Sequence, residues 1–78
     1  MPTITTIDGV KITMYPDDHA PPHFHVLTPD GEAQIRIDNL AVIRGRLRRS
    51  DLAKVIEWAS GKNRVALMNE WNRLNERE

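Results

Sequence analysis

The chain has 78 residues, with 11 basic and 11 acidic side chains that give a formal net charge of zero, and it contains no cysteine. A chain of this length forms one domain, over 1–78, and its charge balance argues against a generally basic nucleic-acid-binding protein, while the lack of cysteine excludes disulfides and thiolate metal sites. Its apolar runs are much shorter than the roughly 20 residues that span a bilayer, and residues 1–6 lack the basic and apolar stretches of a signal peptide, so we expect a cytoplasmic protein without a membrane anchor.

Two segments rich in β-branched residues open the chain. They span 4–7 and 10–15, and Asp8-Gly9 between them is typical of a two-residue hairpin turn, because such turns need positive φ angles. In the second segment apolar residues alternate with polar ones, as in a strand with one buried and one exposed face. The sequence therefore predicts an antiparallel hairpin.

The segment 16–26 holds all three histidines, three of the five prolines and two aspartates, Asp17 and Asp18. Pro21 and Pro22 fix their own φ angles and disfavour helical backbone in the residues before them. We therefore expect a stiff, polyproline-like segment that leads into the next strand.

The strand after the prolines carries two of the histidines. His23, Phe24, His25 and Val26 alternate in polarity, so burial of Phe24 and Val26 predicts that both histidines lie on the exposed face of the sheet. The rise per residue separates the two imidazoles by roughly 6–7 Å along the strand. We expect this strand to form the functional face.

A second hairpin is predicted at Pro29-Asp30-Gly31, a turn sequence between two strand patterns. In the segment 32–38, alternate residues are apolar and are expected to point inward. The segment 40–47 is interrupted by Gly45 and by arginines, so it predicts a short edge strand that ends in a basic loop.

From Ser50 onward the apolar residues recur at helical spacing. Ser50 is a suitable N-cap and Gly61 a suitable stop, which predicts helices over about 50–60 and 63–76. Strands at about 3–47 followed by helices predict an α+β fold, in which two C-terminal α-helices pack on one face of a small antiparallel β-sheet of two hairpins and a short fifth strand. The predicted core consists of Ile12, Met14, Phe24, Val26, Ile35, Ile37, Leu52, Val55, Ile56, Leu67, Trp71 and Leu74.

The histidines allow three interpretations. In the first they belong to a polar outer face and pair with neighbours of the sheet. In the second His23 and His25 bind a divalent metal as cofactor, and either His19 or Asp17 or Asp18 from the preceding loop completes the site. These residue types and spacings are compatible with a metal site without being specific for one.

The third interpretation is metal-independent RNA cleavage. One of His23 and His25 would remove the proton of a 2′-hydroxyl group, and the other would protonate the leaving oxygen. Arg36 would stabilise the charge of the phosphorane, since it lies on the same face if the strands pair as predicted. These three residues are the predicted catalytic set.

Four arginines, Arg44, Arg46, Arg48 and Arg49, precede the first helix. Cations near a helix start are electrostatically unfavourable unless an anion lies between them. The group therefore predicts a site for an anion, a nucleic acid or an acidic partner surface, with a solvated turn as the alternative. The spacing of these arginines indicates no obvious carboxylate partners.

Several motifs together resemble a small bacterial family known as domain of unknown function 4160. They are M-P-T-I at the start, Y-P after the second strand, H-A-P-P-H-F-H-V, and L-x-x-x-W in the last helix. The most specific is the histidine-proline segment, onto which Pro21, Pro22, His23 and His25 map directly, and His19 matches the histidine before the prolines. The resemblance covers nearly the whole chain.

The resemblance implies a cytoplasmic prokaryotic protein that is encoded beside a second small domain, in an arrangement like a toxin–antitoxin pair. We therefore expect a small partner protein encoded nearby, with RNA as a further candidate ligand of the histidine strand and a homodimer as one expected assembly. The alternative is a metal-binding or purely protein-binding module without catalysis. Whether the protein is an enzyme is left open by the sequence.

Overall fold

Five strands precede two helices in the computed structural model, which describes residues 3–16 and 19–75. The elements are β1 (Thr3–Ile7), β2 (Val10–Thr13), β3 (His23–Thr28), β4 (Gly31–Arg36), β5 (Val42–Gly45), α1 (Arg49–Ala59) and α2 (Lys62–Leu74). The strands form one antiparallel sheet in the order β1-β2-β3-β4-β5, so each strand pairs with its neighbour in the chain. The predicted α+β fold is confirmed, with its short fifth strand.

Both hairpins form at the predicted turns. Asp8 and Gly9 have φ angles of 48° and 83°, as a two-residue hairpin turn requires. In the second hairpin the Thr28 hydroxyl donates to the Gly31 carbonyl at 3.0 Å and accepts from the Asp30 N–H at 3.1 Å. These local bonds fix the register of β3 against β4.

The core lies on one face of the sheet. Phe24 and Val26 are fully buried and lie opposite Ile35 and Ala33 of β4. The core cluster also contains residues from both helices, so the helices cover this face. Its members are Val10, Ile12, Met14, Phe24, Val26, Ile35, Ile37, Val55, Ala59, Leu67 and Trp71. Of the predicted core residues, Leu52 and Leu74 pack at its margin and Ile56 is half-buried.

The helix boundaries differ slightly from the prediction. Arg48, not Ser50, is the N-cap of α1, because the Leu52 N–H already donates to the Arg48 carbonyl at 2.9 Å. Gly61, with φ of +71°, separates the two helices as predicted. Neither helix, over its described residues, is long and apolar enough to cross a membrane.

A bulge distorts the last strand. Gln34 lies opposite Arg44, but the next residue, Ile35, lies opposite Val42, so Ile43 is an extra residue of β5. The strand ends at Gly45, whose φ is +82° and where an added Cβ would lie 2.3 Å from the Glu32 carbonyl oxygen. Only glycine fits there without moving β4.

Gly45→Ala tests this close approach, and Gly9→Ala is the matched control. Both positions have positive φ, but only Gly45 faces backbone atoms, whereas nothing lies within 4 Å of a Cβ at Gly9. We expect Gly9→Ala to cost about 1 kcal/mol of unfolding free energy and Gly45→Ala clearly more. Urea unfolding followed by circular dichroism measures the difference, and equal losses would contradict the packing of β5 against β4.

Trp71→Ala tests the packing of α2. Trp71 is 7% exposed, whereas Val65 on the same helix is 62% exposed and serves as the control site. We expect Trp71→Ala to lower the unfolding free energy by about 3–5 kcal/mol, a large part of the stability of a small domain. Val65→Ala should change it by less than about 0.5 kcal/mol. A Trp71→Ala protein that unfolds at the same urea concentration as the parent would contradict this packing.

Candidate functional site

The candidate site lies on the sheet face opposite the core, which we call the histidine face. His23 lies opposite Arg36, and His25 lies between Thr13 of β2 and Gln34 of β4. Because strand side chains alternate, these residues share one face, and Arg44 joins them as the partner of Gln34. The predicted common face of the histidines and Arg36 is therefore present in the structure.

His23 is buried, which corrects the prediction that it lies exposed. It is 4% exposed, and its ring centroid lies 5.2 Å from that of Trp71 in α2. Its Nδ1 is 2.7 Å from the Pro21 carbonyl oxygen. Because a carbonyl only accepts, Nδ1 carries the proton that is donated in this bond, and in the neutral ring the lone pair is on Nε2. The Nε2 atom is itself buried, so a bulky substrate cannot reach it in this conformation.

His25 is half-buried and remains accessible from the histidine face. Tyr15 meets its ring edge-on, with a centroid distance of 4.4 Å and an interplanar angle of 81°. The His23 and His25 ring centroids are 5.1 Å apart, closer than the predicted separation along the strand. Trp71, His23, His25 and Tyr15 thus form a continuous row of rings, in which packing holds the orientation of His25.

The proline segment holds the start of β3 through its backbone. The Pro22 carbonyl accepts from the Ile37 N–H at 3.1 Å, beside the bond from His23 to Pro21. The Ala20–Pro21 peptide bond is cis, which differs from the polyproline-like conformation predicted for this segment. His19 is exposed just before the prolines.

Two cavities lie side by side on the histidine face. The first, of about 260 Å³, is lined by His19, Pro21, His23 and Ile43 among others. The second, of about 140 Å³, is lined by Tyr15, His25, Leu27 and Glu32 among others. Both are lined by Gln34 and Arg44, which therefore lie at the junction of the two cavities.

Two arginines of the predicted site are already neutralised. Arg36 forms an ion pair with Asp38 at 2.7 Å, and this hydrogen bond lowers the pKa of Asp38. Arg48 forms an ion pair with Asp30 at 2.7 Å, and the hydrogen bond raises the pKa of Arg48. The expectation that the arginine group has no carboxylate partner is therefore wrong for Arg48, because the second hairpin turn brings Asp30 to it.

The other three arginines differ in position. Arg44 lies at the cavity junction, Arg46 is exposed beyond β5, and Arg49 is the first residue of α1. None of the three forms an ion pair with a residue in 3–16 or 19–75. The structure thus places only Arg44, of the predicted anion-binding group, beside the histidines. The sequence predicts Arg44 as a member of the group, but no sequence pattern distinguishes it from Arg46, Arg48 and Arg49.

The predicted metal ligands are only partly brought together. His19 and His23 line the first cavity, while His25 lines the second. Within the part of the chain that the structure describes, no group of three histidine, aspartate or glutamate side chains could hold a metal ion. Asp17 and Asp18, the further ligands considered, lie outside the described residues.

Fold and site together define a small α+β domain with a buried and a half-buried histidine, His23 and His25, on the sheet face opposite Phe24 and Val26. The family described as domain of unknown function (DUF4160) matches residues 9–72, so the chain belongs to this family. The match spans all of β2 to β5 and therefore the whole histidine strand. Comparisons with curated proteins and with solved structures found no match.

Substitution of the two histidines in turn tests their different surroundings. His23→Ala removes the donor to the half-buried Pro21 carbonyl and the contact with Trp71, so we expect a loss of about 1–3 kcal/mol in unfolding free energy. His25→Ala should cost less than about 1 kcal/mol, because its ring is partly solvated. Urea unfolding followed by circular dichroism gives both values, and a larger loss for His25→Ala would contradict the assignment of His23 as the structural member.

Proposed function

We propose that this domain is a binding module that recognises an acidic segment of a small partner protein on its histidine face. The partner is the product of the neighbouring gene, in a two-gene module like a toxin–antitoxin pair, and the complex forms in the cytoplasm. The observation that carries the proposal is the position of Arg44 at the junction of the two cavities, with no ion pair to any described residue. The family resemblance supports the two-gene arrangement.

The chemistry around Arg44 suits a carboxylate. Its guanidinium group can bind a carboxylate through two parallel hydrogen bonds, and the Gln34 amide beside it supplies a further donor. No acidic residue is among the described residues that line the first cavity, whereas Glu32 lines the second. On the second-cavity side of Arg44 an acidic side chain would approach Glu32, which is unfavourable.

The size of the first cavity favours a side chain over a whole small molecule. Pockets for drug-sized ligands occupy about 300–1,000 Å³, and this cavity has about 260 Å³. Pro21 and Ile43 give it an apolar wall, which suits the methylene groups of a glutamate or a neighbouring aliphatic residue. This geometry supports recognition of one acidic residue within a longer segment.

The charge distribution favours protein over RNA as the partner. RNA binding draws on several cations that contact successive phosphates, but Arg36 and Arg48 already have carboxylate partners and the whole chain has no net charge. RNA is the second candidate, because His25 and Arg44 line the same small cavity. Burial of the His23 Nε2 atom does not support acid–base catalysis by two histidines, so an RNA reaction would use His25.

Arg44→Gln tests the proposal, with Lys62→Gln at the exposed start of α2 as a charge-matched control. Titration calorimetry with the neighbouring gene's product should show affinity that is weaker by roughly 10–100-fold for Arg44→Gln, the loss expected for a hydrogen-bonded charge. The control should bind like the parent, and the difference should shrink at high salt.

Equal affinities of Arg44→Gln and the parent at low salt would contradict the proposal. A cleavage assay on single-stranded RNA with the parent and His25→Ala addresses the second candidate. Cleavage by the parent that is lost in His25→Ala would favour the RNA function, provided that the variant unfolds at a urea concentration like that of the parent.

A further inference from the structure

We propose that the acidic partner segment binds as an added sixth strand on the free edge of β5, a mode that rests on the proposed function and specifies it. β5 is the last strand of the sheet order, so among residues 3–16 and 19–75 no strand lies on the other side of its backbone. Edge strands present unpaired N–H and C=O groups that an extended peptide can pair with. The added strand would lie directly beside Arg44.

The side chains of β5 distinguish it from the other sheet edge. All four of its residues are exposed, and Val42 and Ile43 are 40% and 42% exposed although both are apolar and β-branched. On β1, at the opposite edge, Ile4 and Ile7 are partly buried against the core. Apolar side chains left in solvent on an edge strand are a feature of interaction sites, because covering them stabilises a complex.

The bulge in β5 joins this edge to the cavity. Consecutive strand residues normally point to opposite faces, yet Ile43 and Arg44 both line the first cavity. The register explains this, because Ile43 is the extra residue between the pairs formed by Arg44 and Val42. A strand that pairs with β5 thus meets an apolar surface and a guanidinium group at the same point, which suits a segment that combines acidic and aliphatic residues.

The charges favour an acidic segment over a second copy of this chain. Arg44, Arg46 and Arg49 form no ion pairs with described residues. If two copies paired through β5 in an antiparallel manner, Arg44, which lies near the middle of the strand, would approach its equivalent in the other copy, which is unfavourable. An acidic strand brings opposite charge to the same position, so the edge discriminates between the two occupants.

N-methylated peptides test strand addition directly. The probe is a short synthetic peptide of alternating glutamate and valine, compared with two versions that carry N-methyl groups on the glutamates or on the valines. An added strand uses the N–H groups of every second residue, so fluorescence anisotropy should show binding weakened at least tenfold by one pattern and nearly unchanged by the other. A peptide of alternating lysine and valine is the charge control and should not bind.

The same titration with Arg44→Gln separates this inference from the proposed function. If both methylated peptides bind like the unmodified one while Arg44→Gln weakens binding, strand addition is overturned and the acidic site stands. If one methylation pattern weakens binding and Arg44→Gln leaves the affinity unchanged, the proposed acidic site is contradicted and strand addition is supported. Absence of binding by the glutamate peptide would overturn the proposed occupant. Self-association through β5, measured by sedimentation and by changes in the amide chemical shifts of Val42 to Gly45, would also overturn it.

Discussion

Burial of Phe24 and Val26 in the central strand β3 is the constraint on which the rest of the structure depends. Both side chains are fully buried, and each such burial stabilises the fold by about 1.5–3 kcal/mol. Because side chains alternate along a strand, the same burial fixes His23 and His25 on the opposite face. A register slip of one residue would exchange the histidines with Phe24 and Val26 between the two faces, so burial of these two apolar side chains holds the histidines on the histidine face.

Local patterns were sufficient to predict most of this fold. Asp8-Gly9 specifies the first turn through its positive φ angles, and the alternation of β3 and β4 specifies which face is buried. Turn length then sets the hairpin register, which is why the sequence alone assigns Arg36 to the histidine face. Family membership, too, was predicted from the histidine-proline segment and is confirmed by the match over residues 9–72.

What the sequence could not predict depends on contacts between distant segments. The burial of His23 requires Trp71, which α2 places against the start of β3. The ion pair of Arg48 requires Asp30 from the second hairpin, and neither residue carries a local signal for the other. The bulge at Ile43 arises from the register between β4 and β5, which the sequence of β5 does not encode. Strict alternation along β5 therefore predicts the wrong sheet face for Ile43. Each of these features changes the site without changing the fold class.

Arg36 and Arg48 have carboxylate partners, and of the three arginines of the predicted anion-binding group without one among the described residues only Arg44 lies beside the histidines. Exposed ion pairs such as those of Arg36 and Arg48 contribute little stability, but they remove cations that would otherwise compete with Arg44 for an anion. The Arg44 guanidinium group beside an exposed strand edge orients a partner, and its loss is expected to weaken binding by roughly 10–100-fold. The rest of the affinity comes from burial of Val42 and Ile43 and from backbone hydrogen bonds along the edge. In the proposed complex, therefore, Arg44 selects the register of the acidic segment, and β5 supplies most of the free energy that retains it.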